Sequence, residues 1–172
     1  MSYYTDMMDS PCGPLLLVVD DDGAVVRIEF GNGRESQKRT VQRMRAAGID
    51  VIEDAGRTAG LRRQLEEYFA GERQEFDLRL APQGTPFELS VWEELKRIPF
   101  GETRSYGEIA QAIGRPGSAR AVGRANGANP IPIVVPCHRV IGANGSLTGF
   151  GGGLDAKERL LEIEGRALPF SA

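Results

Sequence analysis

The chain breaks near its middle. Ala81-Pro82-Gln83-Gly84 interrupts regular structure, and Thr85-Pro86-Phe87-Glu88 restarts it as a helix: threonine as cap, proline at the first helical position, glutamate three residues after the cap. The stretch before the break reads as strands followed by helices, and the stretch after it is mainly helical. Two domains are therefore expected, residues 1–84 and 85–172.

In the first, Leu15–Val19 and Ala24–Phe30 flank Asp20-Asp21-Asp22-Gly23, the pattern of a hairpin with an Asp-Gly turn. Residues 35–47 suit a helix closed by Gly48. Residues 58–70 suit a second, with Leu61, Leu65, Tyr68 and Phe69 on one face and Gly71 as its stop. Glu75 to Leu80 suits a further strand.

In the second, Phe87, Val91, Leu95 and Ile98 recur at helical spacing before Pro99. Ser105-Tyr106-Gly107-Glu108 is another capping box, leading Ile109, Ala110 and Ile113 to Gly114. After Arg115-Pro116-Gly117 a third helix runs from near Ser118 towards Asn126. A last capped helix begins at Asp155, carries Leu160, Leu161 and Ile163, and ends at Gly165. The pair 105–114 and 118–126 has the outline of a helix-turn-helix, an outline shared by helical hairpins that bind nothing. Most side chains of the second helix are small. They suit close packing on another helix, or close approach to a narrow groove with Arg120 and Arg124 as the long groups.

Charge is uneven. The net charge is -3, yet residues 103–140 hold five arginines (Arg104, Arg115, Arg120, Arg124, Arg139) against one acid, Glu108. That is a basic patch in a mildly acidic protein, either a solvated face or a surface for phosphates. No apolar run is long enough to span a membrane, and the first residues lack the pattern of a signal peptide, so a cytoplasmic protein is expected. Cys12 and Cys137 cannot build a disulfide framework, and two cysteines with one histidine lack the number and spacing for a zinc site.

That one histidine, His138, directly follows Cys137 in Pro136-Cys137-His138-Arg139-Val140. Thiolate is a strong nucleophile, but an ordinary cysteine is only about 3% ionised at pH 7. A neighbouring base raises its reactivity, and His138 is the only imidazole available. Neighbours on a regular strand point to opposite faces, so the pair needs a bend or an intervening water. Glu164 is a candidate to orient the imidazole; a surface acid on a helix is the bland alternative.

The segment Asn129-Pro130-Ile131-Pro132-Ile133-Val134-Val135-Pro136-Cys137-His138-Arg139-Val140-Ile141-Gly142 resembles the active-site signature of the O6-alkylguanine-DNA alkyltransferases. The likeness runs from about Thr85 to Gly165. It takes in Arg104-Ser105-Tyr106-Gly107, Ala119-Arg120-Ala121-Val122-Gly123, and Gly152-Gly153-Leu154 followed by Lys157-Glu158. Ser10-Pro11, Gly13-Pro14-Leu15 and Tyr68-Phe69-Ala70-Gly71 extend it into the first half. The implied fold is α+β: an N-terminal ribonuclease-H-like α/β domain with an antiparallel sheet, and a mainly helical, winged helix-turn-helix-like domain carrying the active site.

The resemblance also implies roles. The partner would be double-stranded DNA carrying O6-alkylguanine and, as a lesser substrate, O4-alkylthymine. Cys137 would take the alkyl group once and irreversibly as a thioether, with no cofactor or metal. His138, through a water held with Glu164, would accept the thiol proton. Tyr106 would donate to the purine as charge develops, and Asn129 would hold the turn presenting the cysteine. The helix 118–126, with Arg120, Ala121, Gly123 and Arg124, would enter the minor groove. Arg120 would fill the gap left by the flipped base. Val140, Phe150, Gly151, Gly152 and Lys157 would line the alkyl pocket. Phe150 stands where relatives often have tyrosine and Gly151 where some have serine, so an open pocket tolerant of larger alkyl groups is expected. A monomer is expected, with cooperative assembly along DNA left open. Two rivals remain: an alkyltransferase-like protein that only binds lesions, which Cys137 argues against, and a cysteine hydrolase unrelated to DNA.

Overall fold

The computed structural model describes residues 1–31, 34–145 and 153–165. The chain forms two compact units, Met1–Pro82 and Gln83–Ala172.

The first unit is built on a four-stranded sheet. Its strands are β1 (Ser2–Met8), β2 (Leu15–Val19), β3 (Val25–Phe30) and β4 (Asp50–Glu53), ordered β3-β2-β1-β4. The hairpin of β2 and β3 is antiparallel, as is β1 on β2. β4 then joins β1 in parallel, which makes the sheet mixed. All five residues of β2 are buried, as a central strand covered on both faces requires. Helix α1 (Arg34–Ala46) sets Val41 and Met44 against Tyr3, Leu16, Val18 and Val26. Helix α2 (Ala55–Phe69) packs on β1 and β2 and buries Leu61, Leu65 and Tyr68. It starts three residues earlier than the expected position 58, because the Asp54 carboxylate accepts from the amides of Gly56 and Arg57.

Residues 75–80 are not a strand. Gln64 on α2 takes up the main chain of Asp77 through both ends of its amide, at 2.9 Å each. Only the Val25–Leu80 bridge reaches the sheet.

The second unit is helical. Helix α3 (Pro86–Leu95) carries the expected capping box between Thr85 and Glu88, and helix α4 (Tyr106–Ala112) the one between Ser105 and Glu108. Helix α5 (Ala119–Gly127) packs on both. On its inner side the indole nitrogen of Trp92 donates to the Ala125 carbonyl at 2.8 Å. Gly84 lies so close to this indole that an added Cβ would stand 2.5 Å from its ring. Helix α6 (Leu154–Ile163) has no side-chain cap: it starts from Gly153 at φ 90, a conformation glycine adopts at little cost. Two short parallel strands, β5 (Arg104–Ser105) and β6 (Val140–Ile141), pair Arg104 with Val140 and Ser105 with Ile141. This pairing brings Tyr106, the first residue of α4, to the same edge as the segment holding Cys137. Among the described residues no helix is long and apolar enough to cross a membrane.

Candidate active site

The site is made by a run of tight turns. Asn129 opens it: its side-chain oxygen accepts from the Ile131 amide at 3.0 Å and its side-chain nitrogen donates to the Val135 carbonyl at 2.9 Å. Between them, Val134 N donates to Pro132 O at 2.9 Å, which closes a three-residue γ-turn around Ile133. Ile133 has φ 74, the only positive φ among the described non-glycine residues. For a β-branched side chain this is a strained form, costing on the order of 1–3 kcal/mol. Burial offsets it, since Ile131, Ile133 and Val135 are each at most 1% exposed. A second γ-turn follows, with Cys137 N on Val135 O at 2.8 Å. Cys137–Arg139 then form one turn of 3-10 helix. The bend that neighbouring cysteine and histidine side chains would need is therefore present.

Cys137 is 3% exposed and His138 is fully enclosed. His138 Nε2 lies 2.7 Å from Glu164 Oε2. Arg139 grips the same carboxylate from the other side, Nε to Oε1 at 2.8 Å and Nη2 to Oε2 at 2.9 Å, and its Nη1 donates to the Ile98 carbonyl at 2.7 Å. Glu164 is thus no surface acid. It caps α6, is 5% exposed, and joins the end of that helix to the turn that holds Cys137 to Arg139.

The electrostatics follow from burial. Enclosure pushes the Cys137 thiol up to about 11, although a hydrogen bond from Asn129 and the charge of Lys157 both favour the thiolate. Enclosure also lowers the His138 pKa, with Glu164 opposing. Lys157, with no exposed surface, is lowered to about 8 by burial against the opposing pull of Cys137; its Nζ donates to the Val140 carbonyl at 2.6 Å. At neutral pH the resting site is a thiol beside a neutral imidazole whose Nε2 proton is held by a carboxylate. Such a pair can pass a proton only as the sulfur bonds to something else.

The residues expected at a groove-binding surface divide differently. Arg120 and Arg124 are exposed on α5, with Ala121 and Gly123 half-buried between them. Gly123 lies beside Tyr106: a Cβ there would stand 3.8 Å from the phenol ring. Tyr106 itself is half-buried. Arg139 leaves the basic patch, because it is 6% exposed and spent on Glu164. Arg104 is paired with Glu102 at 3.2 Å. Val140 is buried beside Lys157, while Phe150, Gly151 and Gly152 lie outside the described residues.

Two site residues carry no expectation from the sequence patterns. One is Arg139 as a structural cation; its sign was there to see, an arginine inside an apolar run that had to find an acid. The other is Asn126, 2% exposed, whose side-chain nitrogen lies 3.3 Å from the Cys137 carbonyl. It falls four residues after Val122, on the helix face that packs inward.

Comparison with known proteins finds a match for each unit. Residues 3–82 match the ribonuclease-like domain of 6-O-methylguanine DNA methyltransferase, and residues 86–166 match its DNA-binding domain. A methylated-DNA–protein-cysteine methyltransferase of Mycolicibacterium paratuberculosis is 64% identical over 164 residues, covering 95% of this chain and 93% of that one. One of Methanosarcina acetivorans is 51% identical over 162 residues, covering 94% and 98%. The crystal structure of Mycobacterium tuberculosis O6-methylguanine methyltransferase superposes with a TM-score of 0.81 at 46% identity, covering 97% of this chain and 96% of that one. The Mycobacterium tuberculosis OGT structure in complex with DNA gives 0.79 at 46% identity, with 98% and 96% covered. With both units matched by paired domain models, the chain belongs to the 6-O-methylguanine DNA methyltransferase family.

Proposed function

We propose that the protein repairs O6-alkylguanine in duplex DNA by moving the alkyl group onto Sγ of Cys137, once per molecule. The observation that carries this proposal is the enclosed line of Cys137, His138 and Glu164, with Arg139 holding the carboxylate. A metal-free displacement at carbon needs a soft nucleophile, somewhere for its proton to go and a fixed base, and these residues supply all three.

In the proposed step, Sγ attacks the alkyl carbon as the carbon–O6 bond breaks. The thiol proton passes through a water to Nδ1 of His138, and Glu164 stabilises the imidazolium. The bonding pair released at O6 goes to the purine, where the Tyr106 hydroxyl donates a hydrogen bond to the developing charge. The proton balance closes when the imidazolium gives up the former thiol proton and the purine anion takes one up in its place, which restores neutral His138. A thioether is a poor leaving group, so the protein stays alkylated. Asn129 keeps the thiol presented and steadies the charge on sulfur.

The O6 atom is out of reach inside a duplex, so the base must leave the stack, at a cost of a few kcal/mol. Arg120 is suited to the space left behind, being exposed on a helix of small residues and carrying a planar cation. Arg124, Gly123 and Ala121 share that helix and would face the backbone. Lys157 and Val140 would bound the alkyl pocket together with Phe150, Gly151 and Gly152. The cytoplasm is the proposed compartment.

The test is intact-mass analysis after mixing with a duplex bearing one O6-methylguanine. One methyl per chain, mapped to Cys137 and lost in Cys137→Ser, is expected. Repeated turnover without a mass change would mean a hydrolase instead.

A further inference from the structure

Asn126 has no part in the chemistry described so far, yet it is an amide in the apolar inner face of α5, beside Val122 and Ala125. Its nitrogen donates to the Cys137 carbonyl at 3.3 Å. Its Oδ1 is buried with no hydrogen-bond partner among the described residues. Buried acceptors are nearly always satisfied, so an orphan beside a nucleophile calls for a reason.

A second orphan belongs to the residue that follows Cys137 in the chain. His138 Nδ1 is buried and also lacks a partner among the described residues. Because Nε2 bonds to a carboxylate oxygen that Arg139 also grips, Nε2 carries the imidazole proton and Nδ1 is left as a lone-pair acceptor. Two acceptors cannot satisfy each other. One donor with two hydrogens would satisfy both, and to serve a relay it must also accept the thiol proton. A thiol has one hydrogen; a water molecule has two, with lone pairs to spare.

We infer that Asn126 is a positioning residue of the proton relay: its Oδ1 and His138 Nδ1 each take one hydrogen of a water whose oxygen faces the Cys137 thiol. The inference rests on Cys137 and His138 acting as proposed above. As sulfur attacks, the S–H proton moves to this water, the water's other proton moves to Nδ1, and the water is restored. Asn126 stays bonded throughout and keeps the water from turning its lone pairs to the imidazole. The bond from Nδ2 to the Cys137 carbonyl fixes the amide while it does so. The helix proposed to enter the groove therefore also holds part of the relay.

The test compares Asn126→Ala with Asn126→Ser in the full-length protein, reacting with free O6-benzylguanine between pH 6 and 9.5. Both remove the amide, but serine keeps an oxygen acceptor. Asn126→Ala is expected to react about 10–100-fold more slowly at pH 7. Its rate should then climb about tenfold per pH unit, as only preformed thiolate reacts. Asn126→Ser should stay within about threefold of the wild type and keep its flat profile. Equal rates and profiles for the two variants, slowed or not, would overturn the role of Asn126, since a purely structural effect does not distinguish them. If Asn126→Ala does not fold, Asn126→Leu takes its place with the same expectation. Mass analysis of the wild type separates the two proposals. Alkyl on a residue other than Cys137 would sink both, whereas alkyl on Cys137 with matching profiles sinks only the relay.

Discussion

His138 Nε2 meets Glu164 Oε2 at 2.7 Å, with both side chains closed off from solvent. The contact fixes which ring nitrogen carries the proton, and hence which one is left as an acceptor. Arg139 makes it durable by gripping both carboxylate oxygens.

Glu164→Gln tests that relationship. The amide fills the same space but cannot stabilise an imidazolium, so transfer to Cys137 should slow by about 100-fold or more, measured with O6-benzylguanine. Arg139 would keep its charge without a counter-charge, and the variant should lose about 3 kcal/mol in urea unfolding.

The pH dependence of transfer should show an acid limb below the ordinary histidine range. Burial lowers the His138 pKa, so the base form survives as pH falls past 6.5, and the rate should drop only at lower pH. Cys137, pushed up to about 11, is un-ionised at pH 8. Iodoacetamide at that pH should therefore label half-exposed Cys12 well before Cys137, as peptide mapping will show.

Lys157 has a signature in stability. Its folded pKa of about 8 lies below its ordinary value. Between those values the unfolded chain holds a proton that the folded chain lacks, so stability should rise with pH across that window and level off above it. Cys137 would mask this, because its raised pKa makes stability fall with pH in the alkaline range. The slope is best sought in Cys137→Ser, where the pull of the thiolate on Lys157 is also gone. Lys157→Met in that background should flatten it.

Arg120→Ala should slow repair of a duplex far more than reaction with O6-benzylguanine, by about 10-fold or more. Equal slowing on both substrates would rule out a part in base flipping. Arg124→Ala should weaken DNA binding with little sequence preference and reduce the slope of log K against log salt by about 0.9 if Arg124 meets one phosphate.

Much of this architecture was legible in the sequence where local chemistry decides it. Thr85 with Glu88, and Ser105 with Glu108, announce helix starts because a capping box is complete within four residues. The hairpin of β2 and β3 announces itself through its Asp-Gly turn. β1 and β4 carry no such local sign: Ser2–Met8 mixes polar and apolar residues, and the four residues of β4 gain their strand form only by lying beside β1. Residues 75–80 look like a strand but are claimed by the Gln64 side chain, a long-range bond that no local pattern records. The same division holds at the site. Cys137 with His138 stands out as a pair of neighbours. The burial of Arg139 and the placing of Asn126 under Cys137 depend on partners 25 and 11 residues away.

Trp92 is the only tryptophan in the chain, and its indole bonds to the last turn of the helix that carries Arg120 and Asn126. The molecule therefore contains its own optical probe. If that helix shifts when a duplex docks or when sulfur gains an alkyl group, the Trp92 emission will change with it, and lesion recognition and methyl capture can be timed by stopped-flow without a dye.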